Sequence, residues 1–266
     1  MSEPLLSLHG IGKSYGAVEA VRGVDLDIRA GEVLALCGDN GAGKSSLVKI
    51  IAGAQPQTTG TLRLRGAAVT FHSPQDALRH GIATIYQDLA LAPRLSIAQN
   101  IFLGSELTHG PFGLPFPRLL DKRGMMAAAR EFLQRLNLPL ADMATPVERL
   151  SGGQRQAVAI ARALRWQAEL IIMDEPTAAL GVKETAEVLG LIRRLNAEGK
   201  TVLLVSHNMA DVCAVATRVA IMKAGRKAVD RPIAGLDPDT LAHMVMTGQE
   251  NAGQHLPAGR GSMTAL

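Results

Sequence analysis

Gly38-Asp39-Asn40-Gly41-Ala42-Gly43-Lys44-Ser45 satisfies the spacing G-x-x-x-x-G-K-[S/T] in full. An apolar run, Val33 to Cys37, precedes it. Ser46 to Ala52 follows, with Leu47, Ile50 and Ile51 at helical spacing and Gly53 as a stop. A strand, a glycine-rich loop and a helix N-terminus in that order make an anion cradle, because backbone N–H groups and the positive helix end face the same point. Lys44 then reaches β- and γ-phosphates, and the Ser45 hydroxyl reaches Mg²⁺. The pattern predicts a nucleoside triphosphate site.

Further chemistry lies at the ends of other apolar runs. Leu170 to Met173 leads into Asp174-Glu175-Pro176. Paired carboxylates at the mouth of a buried strand are costly unless metal or water engages them. Asp174 is expected to hold Mg²⁺ through its shell, and Glu175 to orient or deprotonate the attacking water. Thr201 to Val205 ends in Ser206-His207, and Ile82 to Tyr86 ends at Gln87. Read alone, His207 is either a structural histidine or a γ-phosphate contact, and Gln87 either a loop residue or a ligand group. Tyr15, in a glycine-flanked loop, is either a surface contact or a platform for a base. Ser151-Gly152-Gly153-Gln154 opens a helix running to Leu164. It reads as a simple cap or as a second phosphate device that offers a hydroxyl and bare N–H groups. One nucleotide cannot easily use both devices of one chain unless a second copy supplies one of them.

These groups need a sheet and helices to hold them. Leu6 to His9 and Val24 to Ile28 alternate apolar with polar, as antiparallel strands with one wet face do, joined through Gly16 and Gly23. Gly60 to Gly66 reads as a further alternating strand, and Ser73-Pro74 as the capped start of a short helix. From Asp88 to about Leu150 the pattern turns helical: Ile97, Ile101 and Phe102 share one face, and Met125 to Leu138 is amphipathic. Between them Gly110 to Pro117 cannot continue a helix. Arg218 to Met222 and Pro238 to Met246 supply a last strand and helix. From Gln249 onward no periodicity remains, and a disordered tail is expected. The fold class is α/β with a mainly parallel sheet, an antiparallel N-terminal β subdomain, and a helical subdomain of about 88–165 inserted in one domain of 5–248.

Composition narrows the partners. The 266 residues are 47% hydrophobic, yet no apolar run approaches the roughly 18 residues that span a bilayer. No secretory signal is visible at the start. Net charge is +4, but aromatics are 3% and the basic residues are scattered, which argues against nucleic acid as a partner. Cys37 and Cys213 read as reduced core cysteines.

Taken in order, these residues resemble the ATP-binding subunit of ABC transporters over roughly Leu5 to Gly248. The resemblance implies a P-loop NTPase core. Tyr15 corresponds to the adenine-stacking loop, Gly38 to Ser45 with Ser46 to the Walker A motif, and Gln87 to the Q-loop, a Mg²⁺ contact. Leu150 to Gln154 corresponds to the family signature, Leu170 to Asp174 to Walker B, Glu175 to the catalytic carboxylate and His207 to the switch histidine. ATP and Mg²⁺ are the implied ligands. The implied assembly is a head-to-tail pair of modules, in which Ser151-Gly152-Gly153 of one chain closes on ATP held by Lys44 of the other.

One stretch departs: where the family usually has Ser-Ala-Leu-Asp, this chain has Ala178-Ala179-Leu180-Gly181. That removes an aspartate expected between modules. This stretch and Ala83 to Leu91 are similar to those of monosaccharide importers for ribose, xylose, galactose or fructose. The implied function is the ATP-hydrolysing subunit of such an importer, peripheral at the cytoplasmic face of the inner membrane. Its implied partners are membrane permease subunits and, indirectly, an extracytoplasmic sugar-binding protein. Leu89, Leu91, Ile97 and Phe102 are expected to line a groove for a permease helix, with Ala90 and Ala98 beside it. The alternatives are a soluble ATPase of the family acting on nucleic acid or ribosomes, and a transporter subunit for a non-sugar solute.

Overall fold

The computed structural model describes residues 3–109, 119–135 and 142–250. In chain order its elements are β1 (Leu6–Tyr15), β2 (Val18–Ile28), β3 (Val33–Gly38), α1 (Lys44–Ile51), β4 (Thr59–Leu64), β5 (Ala67–Val69), α2 (Pro74–Arg79) and β6 (Ile82–Ile85). Then come α3 (Ile97–Phe102), β7 (Thr108–His109), β8 (Leu119–Leu120), α4 (Lys122–Arg135), a 3₁₀ turn (Val147–Arg149), α5 (Gly152–Arg165) and β9 (Leu170–Asp174). The last six are α6 (Val182–Ala197), β10 (Thr201–Val205), α7 (Met209–Val215), β11 (Arg218–Lys223), β12 (Arg226–Pro232) and α8 (Pro238–Thr247).

The central sheet has six strands in the order β12-β11-β3-β10-β9-β6, parallel except for the β11–β12 pair. β3, β9, β10 and β11 are mostly apolar because both their faces are covered, while the edge strand β12 buries only Val229. In β3, Val33, Ala35 and Cys37 join the core under α3 to α8, while Leu34 and Leu36 join the core that holds α1 and β1, β2 and β4. β9, β10 and β11 alternate in the same way. A four-stranded antiparallel sheet, β2-β1-β4-β5, closes the second core. Every parallel strand therefore ends at one edge of the molecule, where the loops after β3, β6, β9 and β10 carry the functional candidates.

The inserted helices share the first core rather than forming their own: Ile101, Phe102, Met125, Ala129 and Leu133 belong to the same buried cluster as β9 and β10. Asn100 is fully buried and fastens the segment after Gln87 to α3. Its side chain accepts from Ala92 N at 2.7 Å and donates to the carbonyls of Ala92, Leu95 and Ser96.

Several expectations change. Gly23 lies inside β2 rather than in the β1–β2 connection. It has φ +57° where the β1–β2 register slips between Ile11 and Lys13, so it serves a bulge. The helical stretch after Asp88 also contains a small two-stranded sheet, β7–β8. Helix α4 starts at Lys122, three residues before the expected Met125. Gly110 to Pro117, Leu136 to Leu138 and the tail beyond Glu250 lie outside the described residues. Cys37 is buried, with its thiol pushed up to about 12 by burial, then countered by Lys44. Cys213 is only half-buried, so it is not a core cysteine.

Candidate nucleotide site

The phosphate loop is held from below. β3 is buried along its whole length, and Leu47, Val48, Ile50 and Ile51 anchor α1 against the same sheet. Among the described residues no side chain caps α1, and its first turn has no acidic residue. Its N–H groups and dipole stay available to an anion. Lys44 Nζ donates to the carbonyls of Gly38 at 2.6 Å and Asp39 at 3.0 Å, so a cation stands over the loop. Ser45 is exposed beside it. The β1–β2 hairpin abuts the loop: a Cβ built on Gly43 would lie 2.4 Å from Ala20 O. That hairpin carries Tyr15, half exposed, whose hydroxyl donates to Gln55 Oε1 while Lys13 Nζ lies 5.3 Å from its ring centroid.

Asp174, at the end of β9, is half-buried. Burial raises its carboxyl above the usual range, Glu175 raises it further, and the fields of Lys44 and Lys49 oppose both. A cation beside Asp174 would relieve that cost, and Ser45 and Asp174 are the hard oxygen donors that a largely phosphate- and water-bound Mg²⁺ takes. The residues therefore fit the ion.

Glu175 adopts φ +52°, a left-handed conformation unusual for a side chain of its size, fixed by a hydrogen bond from its N to Val205 O at 2.9 Å. Its carboxylate pairs directly with His207 Nδ1. The histidine side chain is 72% exposed and the carboxylate 21%, so the pair faces the open edge of the sheet. The two residues reach one another because β9 and β10 are adjacent and in register, Val205 beside Asp174. Thr177 Oγ1 donates to Asp211 Oδ2 at 2.7 Å, which ties the loop after Glu175 to α7. Gln87, Glu175, Gly152 and Gln156 border one cleft of about 480 Å³.

The second phosphate device differs from its expected form. Its N–H groups are not bare: Ser151 N donates to Gln154 Oε1 at 2.9 Å, Gly152 N to Glu184 Oε1 at 3.0 Å, and Gln154 N to Ser151 Oγ at 3.3 Å. A capping box at the start of α5 satisfies two of them, because a helix N-terminus draws any acceptor within reach. The contacts of Lys44 stay within its own loop and those of Gly152 run to α6, so the two devices do not meet through these groups. Asp39, expected in the cradle, gives its carboxylate to Lys223 Nζ at 2.9 Å. Lys223, which also bonds the last carbonyls of α8, was not among the sequence candidates because nothing in its local pattern marks it.

The expected permease groove also needs correction. Ile97 and Phe102 are each 1% exposed and Ala98 2%, so they are core residues and line no surface. Burial of an amphipathic face is what their spacing encodes. Leu89 and Leu91 do border a surface, the cleft of about 480 Å³ that also holds Gln87, and a separate groove of about 410 Å³ is bordered by Leu78 and Arg79 of α2, Tyr86, Leu103 and Trp166.

A phosphate loop after β3, a carboxylate pair at the end of β9, one strand beyond the intervening β10, and an α5 that opens on a Ser-Gly-Gly cap define a P-loop ATP-binding cassette. The ABC transporter family profile matches residues 21–178. The chain is 48% identical to the fructose import ATP-binding protein FrcA of Rhizobium meliloti, covering 85% of this chain and 87% of that one. It is also 48% identical to the xylose/arabinose import ATP-binding protein XylG of Sulfolobus acidocaldarius, over 84% of this chain and 86% of that one. Against the xylose import ATP-binding protein XylG of Burkholderia cenocepacia, identity is 40% over 94% of this chain, which spans only 47% of that protein. A solved dimeric bacterial ABC transporter cassette superposes with TM-score 0.70 at 27% identity, over 87% of this chain and all of that one. Another ABC transporter cassette gives 0.78 at 24% identity over 92% and 99%. The chain belongs to the ABC transporter family and is an ATPase of that family.

Proposed function

We propose that this chain is the ATP-hydrolysing subunit of a monosaccharide importer. The observation that carries this reading is the 48% identity, across nearly the full length of both chains, to a fructose import ATP-binding protein. The inference to solute class is one of lineage.

The chemistry follows from the residues. Lys44 and the N–H groups of Gly38 to Ser46 hold the β- and γ-phosphates of ATP, while Tyr15 offers an aromatic face to adenine. Ser45, Asp174 and Gln87 would hold Mg²⁺, which would supply charge neutralisation at the phosphates. Glu175 takes a proton from the attacking water, and His207, already paired with that carboxylate, orients it toward the γ-phosphate. Ser151 to Gln154 acts on ATP bound to a second copy of the chain. Segment 88–165 moves as a helical subdomain on 5–248, with Gln87 at its root reporting phosphate occupancy as a rotation. A permease helix docks in the groove beside Leu103 and Trp166, which makes the chain peripheral at the cytoplasmic face of the inner membrane. Among the described residues no helix is long and apolar enough to cross a membrane. A sugar-loaded extracytoplasmic binding protein stimulates turnover through that permease.

Deletion of the subunit followed by uptake of labelled pentoses, hexoses, amino acids and metal chelates tests this. Loss of one monosaccharide is expected. Unchanged sugar uptake with loss of another solute would reject the sugar reading and leave the ATPase intact.

A further inference from the structure

Glu184 lies on the first turn of α6, ten residues after the two acidic groups of β9 begin, and its two carboxylate oxygens serve two different loops. Oε1 accepts from Gly152 N at 3.0 Å, at the start of α5. Oε2 accepts from Gly181 N at 3.3 Å, at the end of the loop that begins at Glu175. Around this bridge the two segments interlock. A Cβ built on Gly152 would lie 2.3 Å from Leu180 Cδ2, and one on Gly153 would lie 2.9 Å from Glu187 Oε2. A side chain at either glycine would have to displace the end of Leu180 or of Glu187.

We propose that Glu184 is a positioning residue for ATP hydrolysis. It holds the Ser151-Gly152-Gly153 device in fixed register with the 176–181 loop, and so with Glu175. The proposal rests on the head-to-tail reading above, in which one chain presents Glu175 to its own ATP and Ser151-Gly152-Gly153 to its partner's. Glu184 then ties the parts that serve the two sites. The chain lacks the usual aspartate at Gly181, whose backbone can offer only its N–H to the bridge. A carboxylate hydrogen-bonded to two amides at once defines position more tightly than either contact alone. Transition-state groups misplaced by about 1 Å lose on the order of a hundredfold in rate, so register at this junction matters to turnover.

The test uses the full chain with Glu184→Ala and Glu184→Gln, each alone and combined with Glu175→Gln. Without nucleotide, Glu184→Ala should speed amide exchange over residues 150–154 roughly tenfold, the effect of one lost charge-assisted bond, while Glu184→Gln, whose single amide oxygen can accept from only one of the two N–H groups, should speed it less. ATP affinity of the single chain should stay within about twofold, because Lys44 bonds only its own loop. Turnover, and ATP-driven dimerisation in the Glu175→Gln background, should fall roughly tenfold with Glu184→Ala and by less with Glu184→Gln, which keeps one of the two bonds. Wild-type exchange and dimerisation in Glu184→Ala would overturn the proposal, as would Glu184→Gln matching the wild type in both, since a single acceptor would then suffice. If Glu175→Gln itself fails to dimerise with ATP, the head-to-tail reading falls, and the exchange result still decides whether Glu184 holds α5.

Discussion

Gly41 and Gly43 stand two residues apart in the phosphate loop at φ +81° and +99°, yet only Gly43 is crowded. A Cβ at Gly41 meets nothing within 4 Å, whereas one at Gly43 would lie 2.4 Å from Ala20 O and 3.3 Å from Met222 Cε. Gly41→Ala should therefore cost only the left-handed strain of about 1–2 kcal/mol. Gly43→Ala should cost more in urea unfolding and lose ATP binding, since the loop must part from the β1–β2 hairpin. Equal costs would show that the hairpin is not packed on the loop. Asp174 allows a second prediction. A carboxyl raised by burial and by Glu175 binds protons more readily folded than unfolded, so it subtracts stability above its folded pKa and ceases to as pH falls through it. Asp174→Asn should raise the Tm of the ligand-free chain at pH 7, by a few degrees at most, and abolish the further rise with Mg²⁺ and ATP. A lower Tm without ligand would contradict it. Glu175→Gln should keep ATP binding but slow turnover on the order of a hundredfold, and Lys44→Ala should weaken binding itself. Lys44, Asp174 and Glu175 were legible because local spacing around a strand end marks them. The Glu175–His207 and Asp39–Lys223 contacts were not, since strand order alone brings together residues as far apart as the 184 positions between Asp39 and Lys223.

Arg218 does at the level of elements what no motif advertises. Its side chain is 8% exposed at the start of β11 and bonds Asp230 of β12 at 2.7 Å, Glu32 before β3 at 2.7 Å and Asp27 O of β2 at 2.7 Å. One guanidinium thus joins the central sheet to the antiparallel sheet. Burial acts to raise Asp230, but hydrogen bonds from Arg218 and Lys227 outweigh it and hold the carboxyl below the usual range. A depressed carboxyl contributes stability above its unfolded pKa and loses it as pH falls through the folded one, below about pH 4. Arg218→Met should leave Glu32 without its ion-pair partner and Asp230 with Lys227 alone, and cost about 3–5 kcal/mol in urea unfolding at pH 7. The loss should shrink in acid, where both carboxylates become neutral; a pH-independent cost would point to packing instead. The same contrast explains which elements could be read beforehand. β3, β9, β10 and β11 are continuous apolar runs because both their faces are covered, so sequence alone reveals them. β12 buries only Val229 and is recruited by pairing with β11, which leaves no pattern of its own. Helix α6 does carry the signal in Val188, Leu191, Ile192 and Leu195, and a reading centred on motifs passes over it.

At the scale of the whole molecule, the proposed head-to-tail pairing makes one chain half of a catalytic unit. The phosphate loop keeps Lys44 on its own carbonyls, while Ser151 to Gln154 is seated on α6 through Glu184. A rearrangement bringing both onto one nucleotide would have to strip α5 from α6 across a shared core that includes Val188, Leu191 and Ala157. In the proposed pair, a second copy related by a two-fold axis would complete both sites without disturbing that core. Complementation distinguishes these geometries. Lys44→Ala disables the loop of one chain, and Ser151→Arg disables the cap of another. Each homodimer then has two defective sites. A mixed dimer has one site with both defects and one with neither. In the Glu175→Gln background, mixing the two variants should therefore yield dimers that occlude about one ATP per two chains, while each variant alone occludes none. If one chain supplied both devices to its own nucleotide, each variant would be defective in itself and mixing would restore nothing. Occlusion no greater in the mixture than in its parts, with both chains shown to be folded, would exclude the head-to-tail arrangement.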